Sequence, residues 1–155
     1  VSYSIAIVVF GVWALKIPSL FQDPTEKYQA SNLKPARARA LYDKLLELME
    51  TEKLYLDSSL SLAKVSEKLN ASPKEISQTI NQIEQINYAQ FVSRFRLEEA
   101  KRLLRSPAHA QFKIAAIAYD SGFNSISSFN ALFKKYTAVT PQAYRKGKML
   151  KNEVD

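Results

Sequence analysis

Between Ser125 and Tyr136 the chain alternates short polar side chains with aromatic ones in a helical register. Phe129, Leu132, Phe133 and Tyr136 recur at i, i+3, i+4 and i+7, which predicts the inward stripe of a helix. Ser127, Ser128, Asn130 and Ala131 then face outward. Serine is an indifferent helix former, so such a run suits a helix whose backbone must approach another polar surface. The major groove of duplex DNA is one: it admits a single helix, an Asn amide can pair with adenine, hydroxyls can reach base edges, and an Ala methyl can touch that of thymine. Lys134 and Lys135 near the helix end, Arg145 and Lys146 beyond it, and Ser125 at its start are the side chains placed to meet backbone phosphates.

Catalytic chemistry has little to build on. The chain has no cysteine and one histidine, which removes thiolate nucleophiles, disulfides and the usual zinc ligand sets. His109, in "SPAHAQF", reads as a loop residue, and Asp120 as a helix-end residue without a second carboxylate at a workable spacing. The expectation is a protein that is not an enzyme and that holds neither a metal nor a cofactor.

The elements that must carry the polar helix can be read around it. Ser125 is its expected cap, Gly122 supplies the positive φ of the preceding tight turn, Phe123 plugs the gap behind it, and Ala118 lets a short helix begun by Ile114 and Ile117 come close. An earlier pair has the same layout. Ser61 caps a helix carrying Leu62, Val65 and Leu69, Asn70 suits the left-handed position ending it, and "SPKE" at Ser72 to Glu75 is a capping box opening a helix with Ile76, Ile80 and Ile83 inward. Leu62, Val65 and Ser66 precede Ile114, Ile117 and Ala118 by 52 residues, and Ile76 and Ile80 precede Phe129 and Phe133 by 53. The two-helix unit occurs twice. Between the copies, Tyr88, Phe91, Val92, Phe95, Ala100, Leu103 and Leu104 predict one long helix stopped by Ser106 and Pro107. Its other face carries Arg94, Lys101 and Arg102.

Ahead of these units, Leu41, Leu45, Leu48 and Met49 predict an amphipathic helix from Ala36 to near Lys53, followed by a connector. Pro18, Pro24 and Pro35 break the polar stretch before it. Residues 5–15 are uncharged and mostly branched or aromatic, shorter than the ~20 needed to cross a bilayer, so residues 1–21 are expected to be the end of a transmembrane or other apolar helix. Residues 22–35 then read as a linker, 36–148 as the main domain and 149–155 as a tail. The formal net charge of +7 is unevenly placed: residues 36–87 hold seven Lys/Arg and eight Asp/Glu, residues 88–148 eleven and three. A basic second half suits a phosphate-bearing partner.

"IAAIAYDSGFNSISSFNALFKKYTAVTPQAYRK", together with "FVSRFRLEEAKRLL" and "SPKEISQTIN", resembles the C-terminal DNA-binding domain of the AraC/XylS transcriptional regulators. That resemblance implies an all-α fold in which two helix-turn-helix subdomains, about 61–85 and about 113–137, are joined by a spacer helix of about 88–105 and, in this chain, preceded by an apolar N-terminal helix. It implies base-facing residues Lys74, Ser77, Gln78 and Asn81 in the first reading helix and Ser127, Ser128, Asn130 and Ala131 in the second. Two positions depart from the family pattern: Gln85 and Ala138 stand where Gly is usual, which makes each a candidate for a strained left-handed residue. "LYDKLLELMETEKLYLDSSLSLAKVSEKL" resembles the membrane-anchored branch of the family.

The expectation is therefore a sequence-specific DNA-binding regulator inserting two helices into successive major-groove segments about 34 Å apart. Its partners would be double-stranded DNA and a membrane reached through the N-terminal segment, with a homodimer open. It would sit at a bacterial inner membrane with this domain on the cytoplasmic side, or in the cytoplasm if the N-terminal segment is not a span. The alternative is a membrane-tethered helical adaptor whose basic surface meets an acidic protein or anionic lipid.

Overall fold

Seven α-helices and two short 3-10 turns, with no strand, make up the regular structure among residues 33–147, the part described by the computed structural model. The stretches expected as an apolar N-terminal helix and as a tail lie outside those residues. Among the described residues no helix is long and apolar enough to cross a membrane.

Helix α1 (Pro35–Glu50) opens on a proline, which sacrifices no bond at the first helical position. It buries Ala38, Leu41, Tyr42, Leu45 and Met49, while Leu48, expected inward, lies at the stripe's half-exposed edge. The helix stops short of Lys53: Thr51, its cap, still donates its N–H and its hydroxyl to the Glu47 carbonyl, and Lys53 then takes a left-handed φ of 49° that no α-helix continues through. A 3-10 turn, Leu54–Leu56, follows and buries Tyr55.

Helices α2 (Leu62–Leu69) and α3 (Pro73–Glu84) form the first pair. Ser61 accepts the Lys64 N–H, Ser72 and Glu75 close a reciprocal capping box, and Asn70 ends α2 at φ 47°. Helix α4 (Tyr88–Arg105) starts on a second capping box, Asn87 with Gln90, and ends at Ser106 before Pro107. Helices α5 (Ile114–Asp120) and α6 (Ile126–Thr137) form the second pair, and α7 (Pro141–Arg145), capped by Thr140, closes the fold.

The apolar side chains form two cores. The first gathers Leu45, Met49, Tyr55, Val65, Ile76 and Ile80 around Phe91 and Val92 of α4. The second gathers Ile117, Ala118, Phe123, Phe129, Phe133 and Tyr144 around Leu97, Ala100, Leu103 and Leu104 of the same helix. Helix α4 thus supplies one half of its length to each. Leu97, absent from the expected stripe, is 3% exposed, whereas Tyr136, expected inward, is 49% exposed. The reason is position: Tyr136 is the penultimate residue of α6, one turn beyond Phe133, which already fills the space against Tyr144.

Candidate nucleic-acid interface

Helix α6 is fixed from behind and bare in front. Phe129 and Phe133 are fully buried, and their rings join a chain of aromatic contacts, Phe123 to Phe129 at 5.1 Å, Phe129 to Phe133 at 5.5 Å and Phe133 to Tyr144 at 5.3 Å. Such edge and tilted ring packing sets rotation as well as depth. On the opposite side Ser127, Ser128, Asn130, Ala131, Lys134 and Lys135 are all exposed. Ser125 is half-buried and accepts the Ser128 N–H at 3.3 Å, so its oxygen satisfies the helix start while its hydroxyl proton stays available. A shallow depression of about 580 Å³ runs beside this face, lined by Asn130, Ala131 and Lys134 with Ile114 and the first residues of α7, Thr140, Pro141 and Gln142.

The turn ahead of α6 repeats that of the first pair bond for bond. Asn70 N–H donates to Glu67 O and Ala71 N–H to Ser66 O; 52 residues on, Gly122 N–H donates to Tyr119 O at 2.9 Å and Phe123 N–H to Ala118 O at 3.1 Å. Gly122 adopts φ +87°. Gln85 and Ala138, the two departures from a Gly pattern, adopt φ 57° and 60°.

The first pair displays less. On α3 Lys74 is exposed, but Ser77, Gln78 and Asn81 are half-buried. Glu75 is held by the Ser72 N–H and hydroxyl, which pull its pKa below the usual carboxylate range, with Arg37 at 3.6 Å contributing less. The cations expected on the free face of α4 are paired: Arg94 with Glu84, Lys101 with Glu98 at 2.8 Å, and Arg102 with Glu99 at 2.7 Å. Lys134 and Lys135 are exposed and have no carboxylate partner among the described residues, so α6 carries two unpaired cations where α3 carries one, Lys74.

Comparison with known proteins agrees with this geometry. Residues 62–147 match the family model described as a helix-turn-helix domain. The chain is 34% identical over 91 residues to the regulatory protein PocR of Salmonella typhimurium, a match spanning 59% of this chain and 29% of that protein. Among solved structures it is similar to the C-terminal domain of AraT, a response regulator from Geobacillus stearothermophilus, with 30% identity, a TM-score of 0.58, and coverage of 81% of this chain and 95% of that one. It is likewise similar to the C-terminal domain of the two-component response regulator yesN from Fusobacterium nucleatum, with 33% identity, a TM-score of 0.57, and coverage of 67% and 98%. The chain belongs to the AraC-type helix-turn-helix DNA-binding family.

Within this AraC-type domain one basic residue is placed differently from expectation. Arg145 donates from Nη1 to the Phe112 carbonyl at 2.7 Å, and its Nε and Nη2 are buried. It braces the loop before α5 instead of standing clear as Lys134, Lys135 and Lys146 do. Arg105, beyond the expected set, lays its guanidinium over the Tyr144 ring at 4.6 Å. Arg96, outside that set too, points inward from α4. It donates from Nε to Tyr55 O at 2.8 Å and from Nη2 to Asp57 O at 2.9 Å, and burial lowers its pKa. A signal existed: Arg96 falls four residues after Val92 and four before Ala100, on the inward register of α4. His109 lies in the second 3-10 turn, Pro107–His109, with its Nδ1 3.1 Å from Ser106 Oγ and its ring against Phe112.

Proposed function

We propose that the chain binds duplex DNA with sequence preference and regulates transcription, α6 and α3 being the helices that enter successive major-groove segments. The observation that carries this reading is the division of α6: two fully buried phenylalanines on one side, and on the other four short side chains and two unpaired lysines open to solvent. Short side chains let the helix backbone approach base edges, and Asn130 offers the donor and acceptor pair that matches adenine. Lys134 and Lys135 add sequence-independent attraction to phosphates. Helix α3 makes the smaller contribution, since Ser77, Gln78 and Asn81 are half-buried and residues 36–87 carry one more acidic than basic group by formal count. The first pair then serves mainly to hold the register of the second on the duplex.

Selection of binding sites from a random duplex library, followed by titration across salt, tests the reading. Affinity should fall steeply with added salt while preference for the selected sequence persists. Asn130→Ala should cost about 1 to 3 kcal/mol at one base position only. Lys135→Ala should weaken every duplex alike and reduce the salt slope by about 1. Equal effects of the two substitutions on all duplexes, or salt-sensitive binding without any preferred sequence, refute it; the latter is the behaviour of a basic adaptor.

A further inference from the structure

The two helix-turn-helix pairs share the backbone of α4, and their cores change over between Phe95 and Leu97. At that changeover a second connection exists. The turn of the second pair sits against the connector of the first: a Cβ added at Gly122 would lie 2.1 Å from Tyr55 O, 2.9 Å from Leu56 Cα and 3.1 Å from Arg96 Nε. Arg96 binds the same Tyr55 carbonyl and the Asp57 carbonyl. Tyr55 is itself anchored, 7% exposed and stacked on Phe95 at 5.8 Å.

We propose that this joint of Gly122, the Tyr55–Asp57 backbone and Arg96 sets the orientation of the second pair relative to the first, making Arg96 a positioning residue that determines which spacing of DNA subsites the chain accepts. The inference rests on the DNA-binding reading above for its consequence, though not for its geometry. Comparison of the two copies supports it. The equivalent turn position in the first pair, Asn70, has φ 47° and lies exposed. A left-handed turn alone is therefore met by Asn in this fold. The glycine at 122 answers a further demand, the space taken by the Tyr55 carbonyl. Arg96 supports the same conclusion from the other side: both its bonds go to main-chain oxygens of the connector, and charge-assisted bonds to two carbonyls in a half-buried site hold that backbone in one place. Two binding modules gain from linkage only when their separation matches the target, and the gain falls as the link loosens.

The test uses the whole chain and the duplex it selects, with one or two base pairs inserted between the two subsites. Wild type should lose at least about tenfold in affinity for a single insertion. Arg96→Gln should bind the selected duplex roughly ten- to hundredfold less tightly, bind a duplex carrying only the α6 subsite as wild type does, and lose most of its discrimination among spacings. Arg96→Lys, which keeps the charge but presents its donors from a single nitrogen in place of the Nε and Nη2 fork, should fall between. An Arg96→Gln variant with the wild-type spacing preference overturns the proposal, because α4 alone would then suffice. A second arm needs no DNA: amide residual dipolar couplings of the wild type should fit one alignment tensor across both pairs, and those of Arg96→Gln should require two. One tensor for both proteins, or two for the wild type, also overturns it. If no duplex is selected, the functional reading fails while this arm still decides the joint.

Discussion

Gly122 offers a substitution in which backbone conformation and packing can be separated. Gly122→Ala places a Cβ at φ +87° and 2.1 Å from a backbone carbonyl oxygen, a distance at which the connector or the turn must move. A non-glycine residue in the left-handed region costs on the order of 1 to 2 kcal/mol, and forcing an extra carbon into a packed site typically adds about 1 to 3 kcal/mol. The sum, about 2 to 5 kcal/mol, is a large share of the roughly 5 to 15 kcal/mol that holds a domain folded. Gly147 provides the control, having φ +71° and nothing within 4 Å of an added Cβ, so Gly147→Ala should show only the conformational part. Gly122→Asn provides the complement: Asn tolerates the left-handed region, as Asn70 does at φ 47°, but its Cβ meets the same carbonyl. Urea unfolding followed by circular dichroism gives the three free energies, and amide hydrogen exchange shows whether protection is lost at Leu56 as well as at Phe123. If Gly122→Ala costs no more than Gly147→Ala, or if Gly122→Asn is as stable as wild type, the clash with the connector is not what requires glycine.

Three further outcomes follow from single sites. Ala138→Gly relieves an exposed residue at φ +60°, a strain of roughly 1 to 2 kcal/mol offset by about 0.5 to 1 kcal/mol of glycine's extra chain entropy, and should raise unfolding stability by about 0.5 to 1 kcal/mol; a loss of stability would mean the Ala methyl contributes packing that its exposure denies. Thr79 is fully buried with its hydroxyl unbonded, so Thr79→Val, similar in shape, should stabilise by about 1 kcal/mol, and a fall in melting temperature would show that the hydroxyl has a partner. Asp57 is held at a pKa of about 2, against an ordinary 3.8, by hydrogen bonds from Ser59 and then from Lys64. A depressed carboxylate stabilises the fold above the unfolded-state pKa and loses that contribution as pH falls through the folded one, so melting temperature should drop from pH 4 toward pH 2 less steeply in Asp57→Asn than in wild type. Parallel profiles for the two proteins would refute the assignment.

What the sequence made legible and what it concealed divide along the range of the interactions. Ser61, Ser72 and Ser125 accept N–H groups three residues away, and capping of that kind is written in adjacent letters. The outward set on α6 was readable for the same reason, since a period of 3.6 around Phe129 and Phe133 leaves Ser127, Ser128, Asn130 and Ala131 no other side. Tyr136 fits that period as well as Leu132 does, yet it is exposed, because periodicity assigns a face and cannot say where the opposing wall ends. Arg145 looked like a displayed cation because nothing near it in sequence announces Phe112, 33 residues earlier, as its acceptor. The joint was hidden more deeply. Its acceptors are the main-chain carbonyls of Tyr55 and Asp57, groups that every residue carries, so no side-chain pattern in the connector marks them. Gly122 was readable as a turn glycine and hid its second role behind the first. Only the offset of 52 residues, which sets an asparagine opposite a glycine in otherwise matching turns, separates the two demands, and it does so because one copy of the unit has a neighbour at that corner and the other has solvent.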